Sequence, residues 1–89
     1  MAEKYPLQVV PAARRQLEQL PTPIQSRVRQ AVRGLAADPR PPRAKLLSDD
    51  RRIWRIRVGN YRILYEVRDA QLIVLVVRVG HRREVYRGG

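Results

Sequence analysis

The sequence predicts an α+β fold in which a short N-terminal strand and a two-helix hairpin pack on one face of an antiparallel sheet. Apolar residues recur at three- and four-residue steps through residues 11–37, as in amphipathic helices. From residue 53 onward the period changes to two, which is typical of half-buried strands. A proline-rich segment, residues 38–43, separates the two patterns and cannot continue a helix, because proline removes a donor and restricts the residue before it.

The first half of the chain contains three predicted elements. Residues 5–10 alternate weakly and end at a proline, which favours a short strand. Pro11 suits the first turn of a helix that continues to about Leu20, where another proline stops it. Thr22 precedes a proline and is predicted to be the N-cap of a second helix over residues 23–37.

The second half begins with a predicted hairpin. Two alternating segments, residues 53–58 and 61–67, flank Gly59 and Asn60. Glycine in the first turn position favours a two-residue type II′ turn, and that turn sets the register of the two strands. The register assigns one face of the hairpin to the core, through the pairs Val58–Tyr61, Ile56–Ile63 and Trp54–Tyr65.

The opposite face of the hairpin pairs Arg57 with Arg62. Like charges directly across a ladder destabilise a sheet, so this pair indicates a purpose other than stability. After a turn at residues 68–71, the almost continuously apolar residues 72–79 predict a central strand. We therefore expect the helices on one face of the sheet and a basic face left open.

Composition excludes several classes of protein. A chain of 89 residues with 44% hydrophobic residues supports one modest core and hence one domain, residues 1–89. Its longest apolar run has six residues, too few for a transmembrane helix. The absence of cysteine excludes disulfides and thiolate metal sites, and a single histidine argues against a zinc site. We expect no cofactor, no membrane contact and, since the N-terminus lacks a signal-peptide pattern, a cytoplasmic location.

The net charge points to a polyanionic partner. Nineteen lysines and arginines against eight acidic residues give +11, far more than solubility requires. Seventeen of the nineteen are arginine, which grips phosphate with a planar, permanently charged fork. The excess is concentrated in residues 51–89, with ten basic and three acidic residues, so we expect the contact surface there.

A set of six side chains could serve phosphodiester chemistry. In RNA cleavage the 2′-oxygen attacks the adjacent phosphate, and fixed cations stabilise the negative charge that grows on the phosphoryl oxygens. Such a reaction requires no metal. An aromatic side chain could hold an unstacked base or orient the attacking oxygen. If the last strand lies beside the hairpin, one concavity would gather the candidates Arg55, Arg57, Arg62, His81, Arg82 and Tyr86.

Simpler explanations stand beside this one. Arginines on a half-exposed sheet are ordinarily solvated, and a lone histidine is more often structural than catalytic. The aromatic residues Trp54, Tyr61 and Tyr65 fall on the predicted core face, which favours packing over base stacking. An acidic protein could also be the polyanion.

Two C-terminal segments carry a family resemblance. Residues 54–67 (WRIRVGNYRILYEV) and 76–86 (VVRVGHRREVY) closely resemble the RelE branch of the RelE/ParE superfamily of bacterial type II toxins. Residues 13–21 (ARRQLEQLP) and 35–39 (LAADP) fit the same pattern. The resemblance implies a RelE-like fold, cleavage of mRNA in the ribosomal A site, and neutralisation by an acidic antitoxin encoded nearby.

The resemblance also implies roles for individual residues. Arg55 and Arg57 match two basic residues on the strand before the turn, and Arg62 matches the arginine of the Gly-x-Tyr-Arg segment. Arg82 matches the arginine after the Val-Gly-x turn, and Tyr86 matches the tyrosine of the closing Glu-Val-Tyr. The implied site is therefore built from four guanidinium groups and one phenol.

The chain departs from the family pattern in the groups that could move protons. Arg55 and Arg57 stand where well-studied members have lysine, and arginine is a poor general base because it stays protonated. His81 could take up part of the acid or base work. The competing class is the ParE branch, which shares the fold and inhibits DNA gyrase by binding; a plain RNA-binding module is a third alternative.

Overall fold

Two helices lie on one face of a five-stranded sheet. The computed structural model describes residues 6–48, 50, 52–71 and 73–81. Its elements are β1 (Leu7–Val9), α1 (Pro11–Glu18), α2 (Thr22–Ala37), β2 (Lys45–Ser48), β3 (Ile53–Val58), β4 (Tyr61–Arg68) and β5 (Ile73–His81), with a 3₁₀ turn at Asp69–Gln71. The α+β class and the element order predicted from the sequence are confirmed.

The sheet is mixed: its predicted antiparallel part is confirmed, and the N-terminal strand joins it in parallel at one edge. The strand order is β1-β5-β4-β3-β2, in which β1 runs parallel to β5 and every other pair is antiparallel. The direction of β1 depends on a partner more than sixty residues away, which local alternation does not reveal. The sequence also missed β2, a short edge strand whose Leu46 and Leu47 are exposed and so show no buried face.

Both helices bury one apolar stripe. α1 begins at Pro11, whose fixed φ suits a first helical position, and it buries Ala13 and Leu17. α2 begins at Thr22 itself, so the predicted N-cap role of this residue was wrong, and no side-chain cap bond forms there. The buried residues of α2 are Val28, Ala31, Val32, Leu35 and Ala36. Neither of the described helices is long and apolar enough to cross a membrane.

The β3–β4 hairpin has the predicted register. Val58 pairs with Tyr61 and Arg57 pairs with Arg62, while Gly59 has a φ of +59°, the left-handed value that a type II′ turn requires at its first position. The pairs assigned to the core face are confirmed, since the side chains of Ile56, Val58, Ile63 and Tyr65 are buried against the helices and those of Trp54 and Tyr61 are half-buried.

A β-bulge interrupts the pairing of β4 with β5. Tyr65 pairs with Val76 and Leu64 pairs with Arg78, so Val77 has no partner of its own on β4. An extra residue on one strand exchanges the two faces for every residue that follows it. Val76 before the bulge and Val79 after it are both buried, whereas Arg78 points to the face away from the helices.

The proline-rich segment is held against the sheet. The hydroxyl of Tyr65 donates a buried hydrogen bond of 2.7 Å to the carbonyl oxygen of Pro39. Arg40 forms an ion pair with Asp69 at 2.5 Å, and its guanidinium carbon lies 5.7 Å from the ring centroid of Trp54. The segment between α2 and β2 has no helix or strand, and these contacts hold it in place against the sheet.

We expect Tyr65→Phe to lower the free energy of unfolding by about 1–3 kcal/mol, because the variant leaves the carbonyl of Pro39 buried without this donor. Urea denaturation at neutral pH measures the change. Tyr61→Phe, on the same strand but with a half-buried side chain, is the matched control. Equal midpoints for Tyr65→Phe and the wild type would contradict the assigned role of the hydroxyl.

The same variant should reveal a pH dependence. Burial raises the pKa of Tyr65 to about 12 from its ordinary value near 10. The unfolded chain therefore releases this proton first, so the stabilisation is complete below pH 10 and is lost as the pH rises toward 12. The stability difference between wild type and Tyr65→Phe should shrink over that interval, and a constant difference would contradict the assignment.

Candidate nucleic-acid interface

The open face, which is the sheet face opposite the helices, carries two rows of basic side chains at its hairpin end. The first row runs across the sheet from Lys45 through Arg55 and Leu64 to Arg78. The second row consists of Arg57, Arg62 and Gly80. We call these residues the basic rows: Lys45, Arg55, Arg57, Arg62 and Arg78, with Leu64 and Gly80 between or beside them.

The local structure explains why these side chains share a face. Residues two apart on a strand point the same way, which unites Arg55 with Arg57, and register pairing places Arg62 opposite Arg57. Cross-strand neighbours have Cβ atoms only about 4.5–5.5 Å apart. Arg57 is exposed, and the side chains of Arg55, Arg62 and Arg78 are half-buried. Four permanent charges therefore lie on adjacent positions of three strands.

The charge of this face is mixed toward the end of the sheet away from the hairpin. Glu66 is the one carboxylate that the described strands place on the open face, and it pairs with Arg68 at 2.6 Å. Its register partners are Ile53 and Leu75, which lie two residues from the first basic row on β3 and three residues from it on the bulged strand β5. The hairpin end of the open face is consequently strongly positive.

His81 does not join the arginines. It pairs with Tyr61, and the two rings meet edge to face with centroids 5.7 Å apart and an interplanar angle of 83°. Because Tyr61 belongs to the helix-packed face, the imidazole lies on the opposite side of the sheet from Arg62. The prediction of one concavity holding His81 with the arginines was wrong in this respect, and the reason is the bulge at Val77, which exchanges the faces of β5.

Two basic residues were missed from the sequence. Arg78 interrupts an otherwise apolar strand, and a lone charge in such a run is a signal that the alternation changes there. Lys45 belongs to β2, for which the sequence offered no clear pattern. The structure brings together Arg55, Arg57 and Arg62 as expected, while Arg82 and Tyr86 lie outside the described residues.

The chemistry available to the basic rows is that of anion binding. Guanidinium groups donate to phosphate oxygens in bidentate pairs and keep their charge at any physiological pH. Among the described residues no group of histidine, aspartate and glutamate side chains is arranged to hold a metal ion. The fold and this face define a class: a small, strongly basic α+β protein whose exposed sheet is suited to a polyanion.

Comparison with known proteins identifies the family. A family model described as the ParE toxin of the type II toxin-antitoxin system parDE matches residues 7–86. Toxin RelG of Mycobacterium tuberculosis is 33% identical over 88 residues, which cover 93% of this chain and 97% of that protein. A chain of the RelBE2 toxin-antitoxin complex from the same organism has a TM-score of 0.77 at 31% identity, covering 89% of this chain and 99% of that one.

The isolated RelE toxin of E. coli has the same fold, with a TM-score of 0.77 at 25% identity over 94% of this chain and 93% of that one. The chain belongs to the RelE/ParE superfamily and is a toxin of the type II toxin-antitoxin class. Within that superfamily it belongs to the RelE branch, as the relatives from M. tuberculosis indicate.

We expect Arg57→Gln to unfold at an equal or higher urea concentration than the wild type, with a gain of about 0.2–1 kcal/mol from the relieved cross-strand repulsion. Arg33→Gln, which removes the same charge from an exposed position on α2, controls for the change in net charge. If Arg57→Gln unfolds at a distinctly lower concentration than Arg33→Gln, Arg57 is a structural residue and the open face loses its assigned purpose.

Proposed function

We propose that this toxin is a metal-independent endoribonuclease that cuts mRNA in the ribosomal A site and so arrests translation in the cytoplasm. The observation that carries the proposal is the opposition of Arg57 and Arg62 within the basic rows, in a chain of the RelE branch. A sheet under selection for stability alone would not place two permanent positive charges directly across a ladder.

The proposed reaction uses the basic rows as a fixed cationic surface. The 2′-oxygen of a ribose attacks the neighbouring phosphorus, the bond to the 5′-oxygen breaks, and a 2′,3′-cyclic phosphate and a 5′-hydroxyl result. Negative charge increases on the non-bridging oxygens in the transition state, where Arg57 and Arg62 stabilise it. Both side chains extend from paired strands, so little reorganisation is needed when that charge develops.

The arginines do not carry out the proton transfers of the proposed reaction. Arginine remains protonated, so Arg55, Arg57 and Arg62 serve as charge stabilisers in the proposal and Arg82 joins them. Tyr86 would position a base or the attacking oxygen. The imidazole of His81 packs on Tyr61 on the opposite side of the sheet, which leaves it outside the proposed charge-stabilising set. The attacking hydroxyl must lose a proton and the leaving oxygen must gain one, and neither transfer is assigned to an arginine.

Primer extension on a reporter message after induction tests the activity. New 5′ ends within the codons of translated regions are expected. In a separate ribosome-programmed assay, Arg57→Gln should slow cleavage by on the order of 10²-fold, because one charged donor to the transition state is lost. Arg33→Gln should cleave as the wild type does. Intact messages together with blocked DNA supercoiling would instead support the gyrase inhibition of the ParE branch.

We also propose a cognate antitoxin as the physiological partner of this chain. The 31% identical relative from M. tuberculosis was solved in a toxin-antitoxin complex. With +11 on the toxin and the positive charge concentrated on the open face, an acidic antitoxin segment that covers the basic rows is the complementary ligand.

We expect antitoxin affinity to fall steeply as salt rises, because salt would screen the attraction between the basic rows and an acidic antitoxin segment. Titration calorimetry at several ionic strengths measures the slope of log Kd against log salt concentration. Arg57→Gln should reduce this slope more than Arg33→Gln does. An affinity that does not change with salt would show that the interface is chiefly apolar and that the basic rows are not the contact.

A further inference from the structure

A second basic site lies on the flank of the sheet, beside the outer edge of β3. It is a depression of about 310 Å³ lined by three arginines from three separate parts of the chain. Arg27 comes from α2, Arg43 from the segment between α2 and β2, and Arg57 from β3. Gln30 adds a neutral amide, and Gly59 forms the wall at the hairpin turn.

The fold creates this depression by leaving part of an edge uncovered. β2 pairs with β3 only as far as Arg55, so residues 56–58 have no strand partner on their outer side among the described residues. α2 fills part of that space because Val28 and Ala31 are anchored in the core, which leaves Arg27 exposed at the rim. A nitrogen of Arg27 lies 3.8 Å from the place where a side chain on Gly59 would begin.

The charge of this depression is unbalanced. Among the described residues that line it, three are arginines and none is acidic. A larger depression at the opposite end of the sheet shows the usual mixture, with Asp50, Glu66 and Asp69 near Arg68. Three guanidinium groups around one hollow repel each other, so the arrangement favours an anion that all three can share.

We propose that this pocket, which we call the flank pocket, binds a backbone phosphate of RNA. The inference rests on the proposed RNA substrate and adds a contact outside the basic rows. Arg57 lines the flank pocket and also belongs to the second basic row, so the two sites are continuous at this residue. A strand of RNA lying on the open face can therefore pass over the edge of β3 and place a further phosphate among the arginines.

A regularly charged polymer fits this continuity better than a single carboxylate does. One guanidinium fork is enough to satisfy a carboxylate, whereas successive phosphates of an extended strand engage cations placed at successive positions. The polar surroundings of the pocket, with arginines at the rim and Gln30 beside them, also suit a hydrated ligand.

Binding to uncleavable RNA tests the proposal apart from catalysis. The probe is a fluorescent single-stranded RNA with a 2′-O-methyl group on every ribose, titrated with the full-length protein at several KCl concentrations. Arg27→Gln and Arg43→Gln should each weaken binding roughly tenfold and lower the slope of log Kd against log salt by about 0.7, since one phosphate contact is lost. Arg33→Gln, an exposed arginine of α2 that does not line the pocket, is the matched control.

The outcomes separate this site from the proposed activity. Equal effects of Arg27→Gln and Arg33→Gln would overturn the flank pocket, even where ribosomal cleavage is normal. A loss of RNA affinity confined to the pocket variants would support it, even if no mRNA cleavage were found. If the pocket variants bind RNA normally but lose affinity for a glutamate-rich peptide, the pocket is a carboxylate site and the proposal is wrong. Circular dichroism melting of each variant confirms that it is folded.

Discussion

The extra residue at Val77 is the constraint on which the arrangement of this sheet depends. Without it, Arg78 would face Ile63 inside the core, and Val79 would stand beside Arg62 on the open face. Burying an unpaired guanidinium is too costly for a small domain, whereas a bulge costs one interrupted ladder position. The bulge keeps Val79 in the core, and the side-chain oxygen of Gln16 on α1 accepts a 2.8 Å hydrogen bond from its backbone N–H.

The same bulge decides which residues can act together. It adds Arg78 to the first basic row and turns His81 away, onto Tyr61. The charges that the described residues place at the hairpin end of the open face therefore come from a fixed framework of paired strands, which suits a surface that must stabilise charge without rearranging. The repulsion between Arg57 and Arg62 is the stability cost of that framework, and the apolar core on the other face offsets it.

A second constraint is the attachment of the proline-rich segment. Tyr65 is buried in the core and still reaches a carbonyl of that segment with its hydroxyl, so one side chain joins the sheet to the chain that leaves α2. The attached segment leads into β2, which starts at Lys45 and pairs with the outer edge of β3 only as far as Arg55. The flank pocket exists because that edge is paired only in part.

Local physics accounts for most of what the sequence determined by itself. Helix periodicity predicted α1 and α2, and the glycine of the tight turn predicted the pairing of Arg57 with Arg62, because the geometry of a two-residue hairpin is set by the residues within it. The position of β1 beside β5, the flip at Val77 and the convergence of Arg27 with Arg57 were decided by the tertiary structure. Each of these features joins segments that are far apart in the chain. Such contacts depend on the packing of the whole core, so a local sequence pattern does not predict them.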